Sequence, residues 1–172
     1  LRKNGSLDEV TVGQLAARIA QFEIEADGSE DQALNRIALY VRGSVTVSDL
    51  KNLKLYVEGT ATPIASIDMV GAKDLATFKP ATPYKIGRGQ RKIFYVTADI
   101  SPGRNGDQIK VYLDESTDLN VIGQTYGYGT RVVDTLYDGS ETAHYSLVNI
   151  KGSAFNVAFV GPTAQDVATG QN

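Results

Sequence analysis

Apolar and polar residues alternate along most of this chain. In residues 20–26, Ala20, Phe22, Ile24 and Ala26 fall on one parity and Gln21, Glu23 and Glu25 on the other. A β-strand sends successive side chains to opposite faces, so the pattern predicts a strand with one dry face and one wet face. The same reading fits Ile37, Leu39 and Val41 against Arg36, Tyr40 and Arg42. It fits Leu53, Leu55 and Val57 against Lys54, Tyr56 and Glu58. Further along come Phe94, Val96, Ala98 and Ile100, then Ile109, Val111 and Leu113, then Phe155, Val157 and Phe159, with shorter candidates over 64–69, 77–79 and 131–136. A helix-period run over 12–19 is too short and too poorly capped to stand as a helix.

Turn signals separate these runs: Asp27-Gly28-Ser29, Gly59-Thr60, Gly71-Ala72, Gly87-Arg88-Gly89, Asn105-Gly106 and Asp138-Gly139-Ser140. Asn-Gly and Asp-Gly pairs favour tight hairpin turns, and Asn105-Gly106 is expected to join the Phe94 and Ile109 strands. Many short strands with Gly-rich turns mean a sandwich or a barrel, and strands this one-sided favour an all-β, antiparallel two-sheet β-sandwich with long loops and little or no helix. The expected core comprises Phe22, Ile24, Ile37, Leu39, Leu55, Val57, Phe94, Val96, Val111, Phe155 and Phe159. The sandwich is assigned to residues 16–160. Residues 1–15 are assigned to a leading linker or a donor/edge strand, and 161–172 to a linker or the start of a further repeat.

Composition narrows the chemistry. The 172 residues include no cysteine and one histidine, His144. That removes disulfide frameworks, thiolate metal sites and histidine-cluster metal sites. The formal net charge of −3 gives no general pull on nucleic acid or an anionic membrane, and no run of about 18 apolar residues predicts a membrane span. The opening Leu1-Arg2-Lys3-Asn4-Gly5 has no apolar signal region, and the missing initiator Met suggests a processed or excerpted chain.

One internal match stands out. Ser6-Leu7-Asp8-Glu9-Val10-Thr11-Val12-Gly13-Gln14 aligns with Thr163-Ala164-Gln165-Asp166-Val167-Ala168-Thr169-Gly170-Gln171, sharing Val, Gly and Gln in register with Ser/Thr and Glu/Asp exchanges. A period this long belongs to an array of domains, not to a solenoid. Val10, Val12 and Val167 are therefore the candidate contacts between modules or subunits, with coincidence as the competing reading. The stretches over 48–56, 86–92 and 96–100, together with 20–26, resemble the Ig-like β-sandwich modules of long bacterial cell-surface and S-layer-like repeat proteins. That resemblance implies an extracellular, non-catalytic structural module, whose partners are copies of itself or neighbouring modules of the same chain, with surface polysaccharide as a further candidate. It carries over no catalytic residue.

Other candidate sites are each weighed against a plain structural role. Asp27, Ser29 and Asp31 place oxygen side chains at alternating positions, as calcium loops do, with Asp114, Glu115 or Asp118 as helpers from another loop. The EF-hand pattern fails, because Gln32 stands where Gly is required and Ala38 where a bidentate Glu is required. Calcium is the only cofactor considered, and a solvated hairpin turn is the reading it competes with and the one preferred. Tyr40, Tyr56, Tyr95 and Tyr112 fall on outward parity and form a candidate ligand face for sugar rings. The Gly-rich stretch 123–129 lacks the Lys-Ser/Thr ending of a P-loop and reads as a surface loop whose tyrosines contact a partner. Lys85, Arg88, Arg91 and Lys92 read as a charged edge that blocks stray strand pairing. His144, Ser146 and Asp134 form a weak hydrolytic set without a nucleophile elbow, and Asn4-Gly5-Ser6 is a glycosylation sequon. Three functions are carried forward: a surface-array module, a filament subunit built by strand complementation, and a carbohydrate-binding or adhesion module.

Overall fold

A computed structural model describes residues 1–101, 104–132, 136–152 and 161. In chain order the described strands are β1 (Arg2–Lys3), β2 (Val10–Thr11), β3 (Ala17–Glu25), β4 (Gln32–Gly43), β5 (Leu50–Val57), β6 (Ala65–Met69), β7 (Leu75–Phe78), β8 (Tyr84–Ile86), β9 (Arg91–Ile100), β10 (Gln108–Tyr112), β11 (Leu119–Gly123) and β12 (Ser146–Lys151). Helical structure among the described residues is confined to four 3-10 turns of three residues each. The fold is the all-β, two-sheet sandwich that the alternation predicts.

The first sheet has the order β1-β3-β9-β5-β6 and is antiparallel throughout. The second runs β11-β4-β10-β12-β2, with β7 and β8 also on β4. Ile37 pairs with both Leu119 and Phe78, so β11 and β7 flank β4 on opposite sides. Tyr40 likewise lies between Tyr112 and Leu75. The long β4 thus carries β11 and β10 along one edge and β8 and β7 along the other. One pairing departs from the antiparallel expectation: β2 runs parallel to β12, with Val10 opposite Ile150. Residues 1–15 therefore give each sheet an edge strand within the same chain.

Two expected hairpins are corrected. The Asp27-Gly28-Ser29 turn links β3 to β4, and Asn105-Gly106 lies between β9 and β10, so both connections cross from one sheet to the other. Turn chemistry fixes a tight reversal but not which sheet receives the next strand. The Gly59-Thr60 turn does close a hairpin, β5–β6, where Thr60 Oγ1 donates to the Val57 carbonyl at 2.7 Å.

Between the sheets, Phe22, Ile24, Ile37, Leu39, Leu55, Val57, Phe94, Val96 and Val111 are buried as expected. Phe155 and Phe159 lie outside the described residues. Register shifts break strict parity. One in β3 between Arg18 and Ala20 turns both Ile19 and Ala20 inward, and one in β5 with Asn52 at φ 50° lets Leu50 join Leu53 inside. Phe22 stacks on Phe94 with centroids 5.7 Å apart and meets the fully buried Tyr137 at 5.1 Å.

Tyr137 brings a hydroxyl into this core, and Ser146 satisfies it at 3.0 Å. Ser146 Oγ also accepts the Gln21 N–H at 3.0 Å and donates back to the Gln21 carbonyl at 3.3 Å. The segment after β1 reaches Gln21 only through the Asn4 N–H, which donates to the Gln21 carbonyl at 3.3 Å, so the β12 serine supplies the partner that the Gln21 N–H lacks on that edge. Burial pushes the Tyr137 phenol above its ordinary value, against the opposing hydrogen bond to Ser146.

Ser146→Ala leaves the Tyr137 hydroxyl and the Gln21 N–H dry and is expected to cost about 1–3 kcal/mol, against about 1 kcal/mol for Tyr137→Phe. Urea unfolding measures both, and equal values would show that Ser146 is not the shared partner. Because the folded phenol holds its proton more tightly than the unfolded one, its contribution is intact below the ordinary tyrosine pKa of about 10 and falls as pH rises past it. Tyr137→Phe is expected to flatten that alkaline decline.

Candidate functional site

Three loops meet at the end of the sandwich where β3 stops and β4 begins: residues 26–31, 87–90 and 123–130. Backbone bonds tie them together, from Ala26 N to the Gln90 carbonyl at 3.0 Å, Gly89 N to Asp27 at 2.6 Å and Gln124 N to Asp31 at 2.9 Å. Asp31 secures the junction, accepting the Arg88 N–H at 2.9 Å and pairing with Lys85 Nζ at 2.6 Å. Lys85 and that N–H hold its carboxyl below the usual carboxylate range.

Glu30 fixes the third loop. Its Oε2 accepts the backbone N–H groups of Thr125 at 2.6 Å and Tyr126 at 3.2 Å, while Gly123 N bonds the Tyr128 carbonyl at 2.9 Å and Gly127 N the Gly123 carbonyl at 3.1 Å. A Cβ at Gly123 would fall on the Glu30 carboxylate and displace it from the loop backbone. Tyr126 and Tyr128 stand out from this anchored loop, 70% and 77% exposed.

Below the loop roots lies a cleft of about 450 Å³, walled by apolar Ile24, Ile86, Leu119 and Val121 and edged by Gln32 and Thr130. Thr130 Oγ1 donates to Gln32 Oε1 at 2.7 Å. Glu23, expected on a wet face, is buried at the cleft because β1 covers it. Its carboxylate pairs with Arg2, with Arg91 Nε at 3.1 Å, and accepts Asn4 Nδ2 at 3.1 Å.

The four tyrosines expected on one face divide between the sheets. Tyr56 and Tyr95 stack across β5 and β9 at 5.0 Å and 4°, with the Arg18 guanidinium 3.8 Å from the Tyr95 centroid on the β3 side. Tyr40 and Tyr112 meet edge to face at 5.4 Å across β4 and β10. Arg42 covers Tyr40, and the Tyr112 ring lies so close to the Gly139 backbone that a Cβ there would sit 2.9 Å from it. Parity told which side chains point outward but not which sheet carries them. These rings are cross-strand pairs with their faces in use.

The remaining candidates are also placed. Asp27 Oδ1 accepts Ser29 N at 3.0 Å in a local turn, so Asp27 and Asp31 face separate partners. Glu115 and Asp118 close their own capping box. Among the described residues no group of three or more acidic or histidine side chains is placed to hold a metal ion. Arg91 meets Glu23 and Glu25, so the expected basic edge is threaded with carboxylates. Ser146 of the weak hydrolytic set is buried in the core. His144 Nδ1 meets Asp138 Oδ1 at 3.4 Å and Ser140 Oγ at 3.3 Å, while its Nε2 faces the Glu141 carboxylate at 4.0 Å, so the nitrogen opposite Asp138 meets an acid where a relay needs a hydroxyl. Val10 is buried beside Ile150, and Val12 N bonds the Lys151 carbonyl at 3.0 Å. Asp134 and Val167 lie outside the described residues. The sequence did flag the 123–129 loop, but the long-range Glu30 anchor left no local signal.

No protein-family model and no curated protein matches the sequence. Among solved structures, a family 123 glycoside hydrolase from Clostridium perfringens aligns at a TM-score of 0.29 and 8% identity, covering 88% of this chain and 23% of that one. The chain spans about a quarter of that hydrolase, and a likeness this small carries no argument.

Glu30→Ala is expected to free the 123–130 loop while leaving the core folded. Hydrogen exchange at the Thr125 and Tyr126 amides checks this: both should lose protection relative to the β3 and β9 amides. Unchanged protection would mean the loop is held by its own backbone bonds alone.

Proposed function

We propose that the protein is a non-catalytic structural module of an extracellular surface layer, stalk or fibre. The observation that carries this reading is the two-sheet sandwich itself, whose long strands β3, β4 and β9 run from one end of the module to the other. A twelve-residue strand such as β4 spans about 40 Å at roughly 3.3 Å per residue, so a link of this kind extends an array by that order of length.

Two further features support it. The outer faces carry hydrated ion pairs such as Arg18–Glu58 at 3.2 Å and Arg91–Glu25 at 2.9 Å, which suit a module exposed on all sides. The Ser6–Gln14 motif supplies β2, an edge strand of this module, so its likeness to Thr163–Gln171 fits a chain in which that strand recurs. No helix among the described residues is long and apolar enough to cross a membrane.

The test is the mass of the native polypeptide under denaturing conditions, with its loss when protease is added to intact cells. A mass several times 18.5 kDa, removed by external protease, is the expected result. A chain near 18.5 kDa would shift the reading to a subunit that exchanges β2 between copies, and a protease-protected chain would overturn the surface location.

A further inference from the structure

The four sheet tyrosines have neighbours against their rings, whereas Tyr126 and Tyr128 hold theirs out in solvent. Around them, residues 119–130 contain no Asp, Glu, Lys, Arg or His. We propose that the 123–130 loop binds neutral carbohydrate, with Tyr126 and Tyr128 as stacking platforms and Gln124 and Thr125 as hydrogen-bonding partners for sugar hydroxyls.

The chemistry points to this ligand in three ways. A pyranose ring presents an apolar C–H face and a rim of hydroxyls, and a tyrosine offers a flat apolar face with a polar tip. Uncharged amide and hydroxyl groups beside the rings suit hydroxyl ligands without the desolvation cost of burying an ion. Glu30 lies against the loop backbone and the chain carries a net charge of −3, which disfavours anionic polymers.

The loop is also ready to bind. Glu30 takes two of its backbone N–H groups, and bonds between residues 123, 127 and 128 hold its bend. Little ordering entropy is then spent on association, and tyrosine has few side-chain torsions to fix. Glycines at 123, 127 and 129 leave the rings unshadowed by neighbouring side chains. This inference stands apart from the structural role above, since a link in an array needs no glycan and a glycan binder needs no array.

Affinity electrophoresis of the full chain through gels holding β-glucan, mannan, galactomannan or alginate, followed by titration with the matching oligosaccharide, tests it. Retardation by at least one neutral polymer is expected. Tyr126→Ala and Tyr128→Ala should each weaken binding about ten-fold, the double variant should abolish it, and Tyr56→Ala should leave it within about two-fold. Both loop rings are exposed, so an unchanged melting temperature certifies the fold of the double variant. The inference is overturned if no neutral polymer retards the chain, if retardation survives in the double variant, or if alginate alone retards it. Capture of a protein partner in place of any neutral glycan would overturn it as well.

Discussion

The two sheets are fastened by a polar contact in an otherwise apolar interior. Ser146 of β12 reaches across to both backbone groups of Gln21 in β3 and also holds the Tyr137 hydroxyl. A buried polar group costs stability when its hydrogen bonds are not made, so this arrangement specifies how the sheets sit as well as adding stability. Sliding β12 by one residue would replace Ser146 with Leu147 or Tyr145 and leave the Tyr137 hydroxyl and the Gln21 N–H dry. The contact of Tyr137 with Phe22 accompanies the same registration, and Phe22 in turn stacks on its β9 partner Phe94.

The loop cluster depends on that registration at one remove. It is built on the end of β3, the start of β4 and the start of β9, and β3 is the strand that Ser146 positions. Glu30 and Asp31 then bind neighbouring loops to the β3–β4 turn through backbone N–H groups, which are insensitive to the side chains displayed. Such an end is rigid at its roots and free in its surface chemistry. Binding surfaces on loops carried by a stiff scaffold have this division of labour.

Much of this was legible in the sequence, and the failures have definite causes. Parity identified Phe22, Ile24, Leu55, Phe94 and Val111 as core, because burial on one face imposes a period of two. Parity failed at Ile19 and Leu50, where register shifts turn an additional residue inward. It failed at Glu23, because the covering strand β1 is two residues long and lies twenty residues upstream. The Asp-Gly-Ser and Asn-Gly turns were read correctly as reversals but wrongly as hairpins, since crossing between sheets is decided by tertiary packing. Tyr137 gave no signal at all. It follows an exposed Leu136, and only the partner Ser146 makes its burial affordable.

The opposite end of the sandwich is built on different principles. Asp99 accepts the Ala16 N–H at 2.8 Å and Asn52 Nδ2 at 2.7 Å, clamping two non-glycine residues that both sit at φ 50°. The Asn52 bond, with that of Ala16, draws the Asp99 carboxyl below its usual range, so the clamp is fully charged at neutral pH and weakens only as acid protonates it. It holds the tight turn that presents Leu15, 74% exposed, beside Val12. A left-handed residue without glycine persists only where its surroundings over-determine it. One end thus shows an aromatic loop anchored by Glu30 over a cleft, and the other a small apolar tip on a strained, carboxylate-braced turn. That polarity makes the two ends non-equivalent, so a contact between unlike ends of two copies would be heterologous, closing into a ring or running on as a filament according to its rotation.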